Sequence, residues 1–413
     1  MIEEKIDIIG YPRLVRLNPN IPWKTRGNGA ISILVGKGKG RKKLIGEIKG
    51  KKIYSYSKND SMNFNLSNIR DIAEKIVSKH ARLDDKDTNP GLVFSEKQPF
   101  VRFYKNAIKD VLKVDDAINI LNSNKAYYKG YKNGRGIIGA TASIAWENQK
   151  DMTYELIAYR EEDRWGSKRY VDDESTKKMD KQIKSTFDNF DYKNNHNRLV
   201  PNSPCPVLFG IRGNHEKDLY KAKSMIKSEK IDSWLIFQTN QGTDDHLVKK
   251  KISDIKPYQS VIVEGIVSKA PGTIEGGHVI FTIKDETGKI DCAAYEPTKE
   301  FRNIIRELIS GDKVEVYGGV REKPLTINLE KIDVLLLKKE KEKIENPICP
   351  NCGKHMKSKG AGQGFKCKKC KTIENHPILK EKKRFIKIGF YEVPVCARRH
   401  ISKPLKRYNH KAF

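Results

Sequence analysis

The clearest pattern of hydrophobic and polar positions lies between residues 257 and 340. Val261, Val263 and Val267 alternate with polar residues along one predicted strand, and a second covers 279–283. A turn at 285–288 leads to a third strand, a helix and two further strands. The apolar helix face comprises Phe301, Ile304, Ile305 and Leu308. Three strands, a helix and two strands is the order of a five-stranded OB barrel, a fold that binds single-stranded nucleic acid and also protein.

Two amino-terminal segments mix strand and helix patterns. In residues 1–128, an apolar run at 30–35 predicts a strand, and two helical repeats predict buried helix faces. Those repeats are Ile69, Ile72, Ala73, Ile76, Val77 and then Tyr104, Ala107, Ile108, Val111. In residues 129–250, a glycine-rich loop at 133–140 leads into a predicted helix, and strands are expected at 153–160, 206–213 and 235–237. Loop and helix suit an anion, but the spacing matches neither a Walker loop nor a dinucleotide fingerprint.

Charge indicates a polyanionic partner. The 413 residues carry a net charge of +29, and residues 345–413 hold 18 Lys and Arg against 4 Asp and Glu. Such an excess favours nucleic acid over an ordinary solvated surface, and with it RNA as the ligand of the barrel. No apolar stretch approaches the ~18 residues of a membrane span. We therefore predict a cytoplasmic protein with no membrane partner.

Four of the seven cysteines predict a structural zinc site. Cys349 and Cys352 form one CxxC pair, and Cys367 and Cys370 form another fourteen residues later. Paired knuckles at this separation place four thiolates around Zn²⁺ in a zinc ribbon and leave no open ligand position. A redox role is the alternative. His355 and Cys396 need no metal role.

A cationic segment at 11–29, YPRLVRLNPNIPWKTRGNG, predicts an anion-binding loop. It interleaves prolines, glycines and asparagines with Arg13, Arg16, Lys24 and Arg26. Arginine forks and lysine charges suit phosphate, and glycines allow close approach of backbone. A surface turn with scattered basic residues is the alternative.

Each of two polar clusters also allows a functional and a purely structural interpretation. Residues 84–91, DDKDTNPG, either hold Mg²⁺ on nucleotide phosphates or form an ordinary turn. Residues 238–246, QTNQGTDDH, either line a ligand at a strand end or cap the next segment.

Several of these motifs resemble the archaeal tRNA(Ile2) 2-agmatinylcytidine synthetases over nearly the whole chain. The matching sequences are YPRLVRLNPNIPWKTRGNG, TNPG, NGRGIIGA, TYELIAYR, PVLFGIRG, QTNQGTDDH and VPVCARRHISKPLKR. The resemblance implies an ATP-dependent ligase that joins agmatine to C2 of the wobble cytidine, C34, of tRNA(Ile2) with a CAU anticodon. The product is agmatidine, which enables AUA decoding. The expected cofactors are ATP, Mg²⁺ and structural Zn²⁺.

The resemblance also implies an α+β multidomain fold of five modules. They are a truncated kinase-like α/β domain that binds ATP (1–128), a ferredoxin-like domain (129–250), an OB-fold (251–343), a zinc ribbon (344–376) and a basic carboxy-terminal segment that docks RNA (377–413).

Site residues follow from the matched motifs. The catalytic candidates are Asp87, Asp244 and Asp245. The ATP-binding candidates are Arg16, Asn18, Lys24, Arg26 and Asn28. The substrate-binding candidates are Glu155, Arg135, Asn240 and His246.

One departure from the family concerns the amino end. The family carries Asp-Asp-Thr-Asp and a phosphate-accepting threonine ahead of PRLVRLNP, and neither precedes that segment here. We expect that the start codon was assigned too late. The alternatives are that the chain is a fragment or that the protein binds tRNA without modifying it. We also expect the first domain of the 413-residue form to fold poorly. The competing functions are a non-catalytic RNA- or single-strand-DNA-binding protein, and an amide-forming or nucleotidyl-transferring enzyme that acts on another substrate.

Overall fold

The computed structural model describes residues 6–24, 27–60, 66–147 and 151–408, and it confirms an α+β multidomain fold. The amino-terminal half contains β1 (Asp7–Arg16), β2 (Gly29–Ile48), β3 (Lys51–Asp60), α1 (Leu66–His80), β4 (Gly91–Phe94), α2 (Val101–Lys109), α3 (Val114–Ser123), β5 (Tyr127–Gly130), α4 (Gly136–Ala145), β6 (Thr153–Arg160), α5 (Asp173–Gln182), β7 (Thr186–Phe187), β8 (Phe190–Asp191), β9 (His196–Asn197), β10 (Val207–Gly213), α6 (Glu216–Met225) and β11 (Ile231–Thr239). The carboxy-terminal half contains β12 (Leu247–Lys249), β13 (Ser260–Ile274), β14 (His278–Lys284), β15 (Lys289–Ala294), α7 (Phe301–Arg306), β16 (Lys313–Arg321), β17 (Thr326–Leu336), β18 (Lys341–Glu345), β19 (Lys357–Ser358), β20 (Phe365–Lys366), β21 (Ile373–Glu374), β22 (Ile378–Glu381) and β23 (Gly389–Glu392).

A single seven-stranded sheet joins the first two predicted modules. Its order is β1-β3-β2-β11-β6-β10-β7, and β1 also pairs in parallel with β11, where Leu14 lies opposite Thr239. Local hydrophobic periodicity does not show pairing between strands more than 200 residues apart. The sequence therefore suggested that the two modules form separate layers. The shared sheet brings the carboxyl ends of β1, β10 and β11 to one edge.

The first part of the cationic segment is a strand and not a loop. β1 runs through Arg16 and pairs with β2, with an irregularity between Ile9 and Arg13. Pro12 lies within that irregularity, where a residue without an N–H group interrupts the ladder least. The loop predicted from the composition therefore begins only at Leu17.

Helices α2, α3 and α4 form one hydrophobic core together with Trp146. Both predicted helical repeats lie on helices, but Val111 lies beyond the end of α2 and is exposed. Helix α1 also buries little, because Ile69 is buried whereas Ile76 is 55% exposed. Since α4 packs with α2 and α3, the proposed border at residue 128 separates α4 from helices that it contacts in space. On β2, Ile31, Ile33 and Leu34 are exposed. Whether this module folds poorly stays a prediction.

The barrel prediction is confirmed. β13, β14, β15, β17 and β16 follow one another around the barrel, and pairing of β13 with β16 closes it. The interior is filled by valine, isoleucine and phenylalanine side chains, among them Val261, Phe281 and Val316. The helix α7 ends earlier than predicted, at Arg306, although Leu308 beyond it is buried.

The basic carboxy-terminal segment is built into the junction between the modules. β23 pairs with β17 of the barrel, and Ile401 reaches the core of α2, α3 and α4. Several of the cations that we assigned to RNA docking have protein partners because the segment passes between acidic strand ends. These contacts are Arg398 with Asp188 and Glu392, Arg399 with Glu330, and Lys403 and Arg407 with Asp151.

Among the described helices, none is both long and apolar enough to cross a membrane.

Candidate functional site

A cleft of about 380 Å³ lies where three matched segments meet. Its walls come from residues within 17–24 and 27–31 after β1, residues 87–91 with the start of β4, and residues 135–140 at the start of α4. Gly91 and Gly136 allow this meeting, because a Cβ on Gly136 would lie 2.3 Å from the carbonyl oxygen of Asn89. The backbones of the two segments that carry the motifs TNPG and NGRG are therefore in direct contact.

The cleft combines an apolar wall with charged groups of both signs, Lys24 and Arg135 beside Asp87 and Asp110. Leu17, Ile138 and Ala140 supply apolar surface, and Asp87 brings a carboxylate to the lining. Burial, and after it the charge of Arg399, lowers the pKa of Lys24. Such a site suits a ring system attached to an anion.

Arg135 marks the helix end of the cleft. Its guanidinium lies over the Trp23 ring, 4.9 Å from the centroid, and burial lowers its pKa. Stacking holds the cation in place beside the amino end of α4, where backbone N–H groups also favour an anion. This proximity was not visible in a sequence where the two residues lie over 100 positions apart.

The asparagines of the loop differ in what they contact. The Asn18 amide donates to the carbonyl oxygens of Tyr258 (2.9 Å) and Asp110 (3.3 Å), and so ties the loop to the barrel. Asn28 lines the cleft and donates to the carbonyl of Asn18 at 3.0 Å. Both remain predicted ATP ligands. Arg26 lies outside the described residues.

Arg16 stands at the carboxyl end of β1, held by Asn240. The Asn240 side chain accepts from the Arg16 backbone N–H at 2.7 Å and donates to its carbonyl at 2.9 Å. Burial lowers the pKa of the guanidinium. The charge of Glu155 opposes this shift, and the charge of Arg212 adds to it. Asn240 therefore positions the strand end, and its role as a substrate ligand stays a prediction.

Glu155 is a buried carboxylate on β6 with two protein partners. It accepts from the Arg212 Nε at 3.1 Å and from the Gln241 side chain. Arg212 lies directly opposite on β10. The predicted contact of Glu155 with a substrate would therefore have to share the carboxylate with these donors.

Asp244 and His246 link the sheet edge to the barrel. Both oxygens of Asp244 lie 2.6 Å from Lys331 Nζ, and Asp244 also accepts from Tyr408 and from the Lys403 backbone. His246 Nε2 lies 3.2 Å from Glu330 Oε2. Burial alone would raise the pKa of Glu330, but His246 and Arg399 outweigh it and hold that pKa well below its ordinary value.

Through these contacts, Asp244 and His246 connect the sheet to the barrel. The contacts do not test the predicted catalytic role of Asp244 or the predicted substrate-binding role of His246, and both stay predictions. Glu330 and Lys331 were missed by the sequence reasoning. The available signal was two adjacent charges inside the apolar strand β17.

Asp245 differs from its neighbour because it pairs with no cation among the described residues. Its Oδ2 accepts from the Tyr104 hydroxyl at 2.8 Å, and Tyr104 in turn accepts from Asn240. Burial, above all, raises the pKa of the Asp245 carboxyl. A partly buried carboxyl group that forms no ion pair with a described residue is a candidate for binding a cationic ligand.

The four cysteines form a compact cluster. The ligand atoms of Cys349, Cys352, Cys367 and Cys370 lie within 4.8 Å of one another. Four sulfurs about 2.3 Å from one zinc ion stand at similar mutual separations, so the residues fit tetrahedral Zn²⁺. The predicted ligand set is brought together as a whole, and His355 lies outside it.

Family models match along most of the chain. The TiaS TCKD domain matches residues 1–133, the TiaS FLD domain 134–246, an OB-fold nucleic acid binding domain 261–335, and the TiaS C-terminal zinc ribbon domain 346–386.

Curated relatives and solved structures agree with the models. The tRNA(Ile2) 2-agmatinylcytidine synthetases TiaS of Archaeoglobus fulgidus and Methanocaldococcus jannaschii are each 44% identical, covering 97% and 98% of this chain and 90% and 93% of theirs. A TiaS-tRNA(Ile2)-ATP complex is 42% identical with a TM-score of 0.83, covering 98% of this chain and 90% of that one. A TiaS-tRNA(Ile2)-AMPCPP-agmatine complex is 40% identical with a TM-score of 0.81, covering 99% and 91%.

Proposed function

Because the chain belongs to the TiaS family of tRNA(Ile2) 2-agmatinylcytidine synthetases, we propose that it joins agmatine to C2 of the wobble cytidine C34 of tRNA(Ile2). It is a ligase that forms a C–N bond with consumption of ATP, and its product, agmatidine, enables decoding of AUA. The observation that carries this function is similarity along nearly the whole chain to relatives solved with tRNA(Ile2), ATP and agmatine. A purely RNA-binding role would leave the amino-terminal cleft without a ligand.

The cleft between the loop and α4 is the proposed ATP site. Lys24 and Arg135 supply positive charge for the phosphates, and Arg16 borders the cleft at Gly27. Asp87 is the carboxylate proposed to hold Mg²⁺, because Mg²⁺ usually needs only one or two carboxylates in addition to phosphate oxygens. The proposal fits the apolar wall, which suits a base.

Asp245 is the proposed partner of the agmatine guanidinium. Of Glu155, Asp244 and Asp245, it is the one without an ion pair in the described residues, because Asp244 and Glu155 already have cationic partners. A guanidinium placed against this partly buried carboxyl would favour its ionised form.

The remaining assignments concern whole modules. The barrel and the zinc ribbon are proposed to hold the anticodon stem, and the five-module division of the chain and a cytoplasmic location remain proposals. The ribbon carries seven lysines that its small core cannot bury, at 354, 357, 359, 366, 368, 369 and 371. They are proposed to face phosphate.

Incorporation of labelled agmatine tests the function directly. With tRNA(Ile2) transcript, ATP and Mg²⁺, the protein is expected to transfer label to the tRNA, and Arg16→Gln to lower the rate by roughly a hundredfold, because one charged contact to a reacting phosphate is removed. Arg164→Gln, which removes an exposed arginine at the far side of the same sheet, is the matched control and should retain the rate. No incorporation by the unaltered protein, also when it is expressed with the residues encoded upstream of Met1, would reject the function.

Asp245→Asn tests the agmatine contact. Loss of the carboxylate charge should raise the KM for agmatine roughly tenfold or more while the KM for ATP changes little, because only the guanidinium loses its partner. The isosteric amide keeps an acceptor for Tyr104, so the fold is retained. Asp163→Asn, at an exposed position, serves as control. An unchanged KM for agmatine would remove Asp245 from the site.

A further inference from the structure

Four basic side chains from distant parts of the chain converge beside the cleft without forming its lining. They are Arg16, Arg198, Arg212 and His400. Arg16 ends β1, and Arg212 stands one residue before the end of β10, at the same sheet edge. His400 is fastened to this edge by a 2.9 Å hydrogen bond from the Gly242 N–H to its carbonyl. The Gly210 N–H likewise binds the carbonyl of Leu199, which fixes Arg198 beside β10.

Among the described residues, one ion pair joins this cluster to an acid of the protein, and it is formed by Arg212. Glu155 is the acid within it, and it binds Arg212 through Nε alone, leaving the outer guanidinium nitrogens available. Asp188 and Asp191 favour the charged form of Arg198 against the effect of burial, but neither forms an ion pair with it. Asp188 pairs with Arg398, and Asp191 accepts from the backbone N–H groups of Cys396 and Asn194.

Two atoms or groups in the cluster are left without partners. Arg16 Nε is buried and makes no hydrogen bond, and the Arg198 guanidinium forms none with any described residue. Arg16, then burial, then Arg212 and Arg198 depress the pKa of His400 well below its ordinary value. Yet His400 is exposed, so these charges surround a space that is open to solvent.

The chemistry of the cluster specifies its ligand. Guanidinium groups that keep free N–H pairs bind phosphate oxygens in a bidentate fashion, and crowding of like charge disfavours the empty state. Arg16 Nη1 approaches Gly27, where a Cβ would lie 2.8 Å away, and Gly27 lines the proposed ATP cleft. Gly27 therefore lies between the cluster and the cleft.

We propose that Arg198, Arg212 and His400 form a phosphate-binding subsite beside the ATP cleft, with Arg16 between the two. The subsite takes a phosphate group of the bound substrates, either a phosphodiester of the tRNA next to C34 or the terminal phosphate of ATP. This inference rests on the proposed function as a tRNA-modifying ligase.

Equilibrium binding of each substrate alone tests the subsite and identifies the phosphate. Arg198→Gln is compared with Arg164→Gln for binding of tRNA(Ile2) transcript without ATP, and for binding of ATP without tRNA. A loss of about tenfold in the tRNA arm, with a shallower salt dependence, assigns the subsite to the tRNA backbone. A similar loss in the ATP arm assigns it to the triphosphate. Equal affinities for Arg198→Gln and Arg164→Gln in both arms overturn the proposal.

A charge-preserving variant controls for folding. Arg198→Lys keeps a cation but not the fork, and should recover part of the affinity at an unchanged melting temperature. If Arg198→Lys binds no better than Arg198→Gln although both melt like the unaltered protein, Arg198 does not act through its charge and the subsite is rejected. Both assays report binding and not turnover, so failure to incorporate agmatine would contradict the proposed function and leave the subsite open to this test.

Discussion

Replacement of Cys367 by serine is expected to release zinc and unfold the ribbon. The ribbon core consists of Cys349, Met356, Phe365 and Cys367, two of which are ligands. So small a core cannot offset the chain entropy without the metal, whose binding contributes on the order of 10 kcal/mol in comparable small domains. Metal analysis should find about one zinc per chain in the unaltered protein and a large loss in Cys367→Ser.

The expected damage is local. The barrel has its own core, built around Val261, Phe281 and Val316, and should keep its fold while protease cuts appear between residues 346 and 376. His355→Ala is the matched control, because this histidine lies in the ribbon but outside the cysteine cluster. Full zinc content in Cys367→Ser, or its loss in His355→Ala, would contradict the assigned ligands.

Replacement of Asp244 by alanine is expected to destabilise the junction by about 3–5 kcal/mol, because it leaves a buried lysine without a counter-charge. The Lys331 side chain is 0% exposed and lies 2.6 Å from Asp244. The same substitution removes acceptors from Tyr408 and the Lys403 backbone, so the carboxy-terminal segment loses its anchor. Urea unfolding and protease cleavage near residue 403 measure the effect.

Two comparison variants separate the charge from the loss of packing. Lys249→Met removes an exposed cation from its ion pair with Glu315 and should change stability less, because solvent reaches and screens the Lys249 charge. Lys331→Met combined with Asp244→Ala should recover part of the lost stability, since the unpaired charge is gone. A single Asp244→Ala variant as stable as Lys249→Met would show that the pair does not hold the junction.

Predictions from the sequence succeeded where one short segment contains the whole signal. The barrel strands follow from alternation of valine and isoleucine with polar residues, and the helix α4 follows from a glycine loop leading into an apolar run, although α4 begins within the predicted loop, at Gly136. The loop prediction for residues 11–16 was wrong. It rested on a composition rich in proline and arginine, whereas in the fold Leu14 pairs with β11 and Val15 with β2, and these partners lie elsewhere in the chain.

Side-chain roles were harder to predict than elements. The motif QTNQGTDDH contains Asp244 and Asp245 side by side, and the sequence treats them alike. In the fold, Asp244 faces Lys331 and Asp245 faces Tyr104, because successive residues after a strand end point toward different neighbours. Their separate environments depend on β17 and α2, which lie far away in the chain.

By itself, the sequence determined the fold class, the strand order of the barrel, the four zinc ligands and, through its motifs, the family and reaction. Those features depend on spacing within a few dozen residues or on direct similarity. Only the tertiary structure decided that the first two modules share one sheet, that the basic carboxy-terminal segment fills the junction, and that Arg16, Arg198, Arg212 and His400 meet. These outcomes arise from pairing and charge contacts between residues up to several hundred positions apart, which local hydrophobic periodicity does not encode.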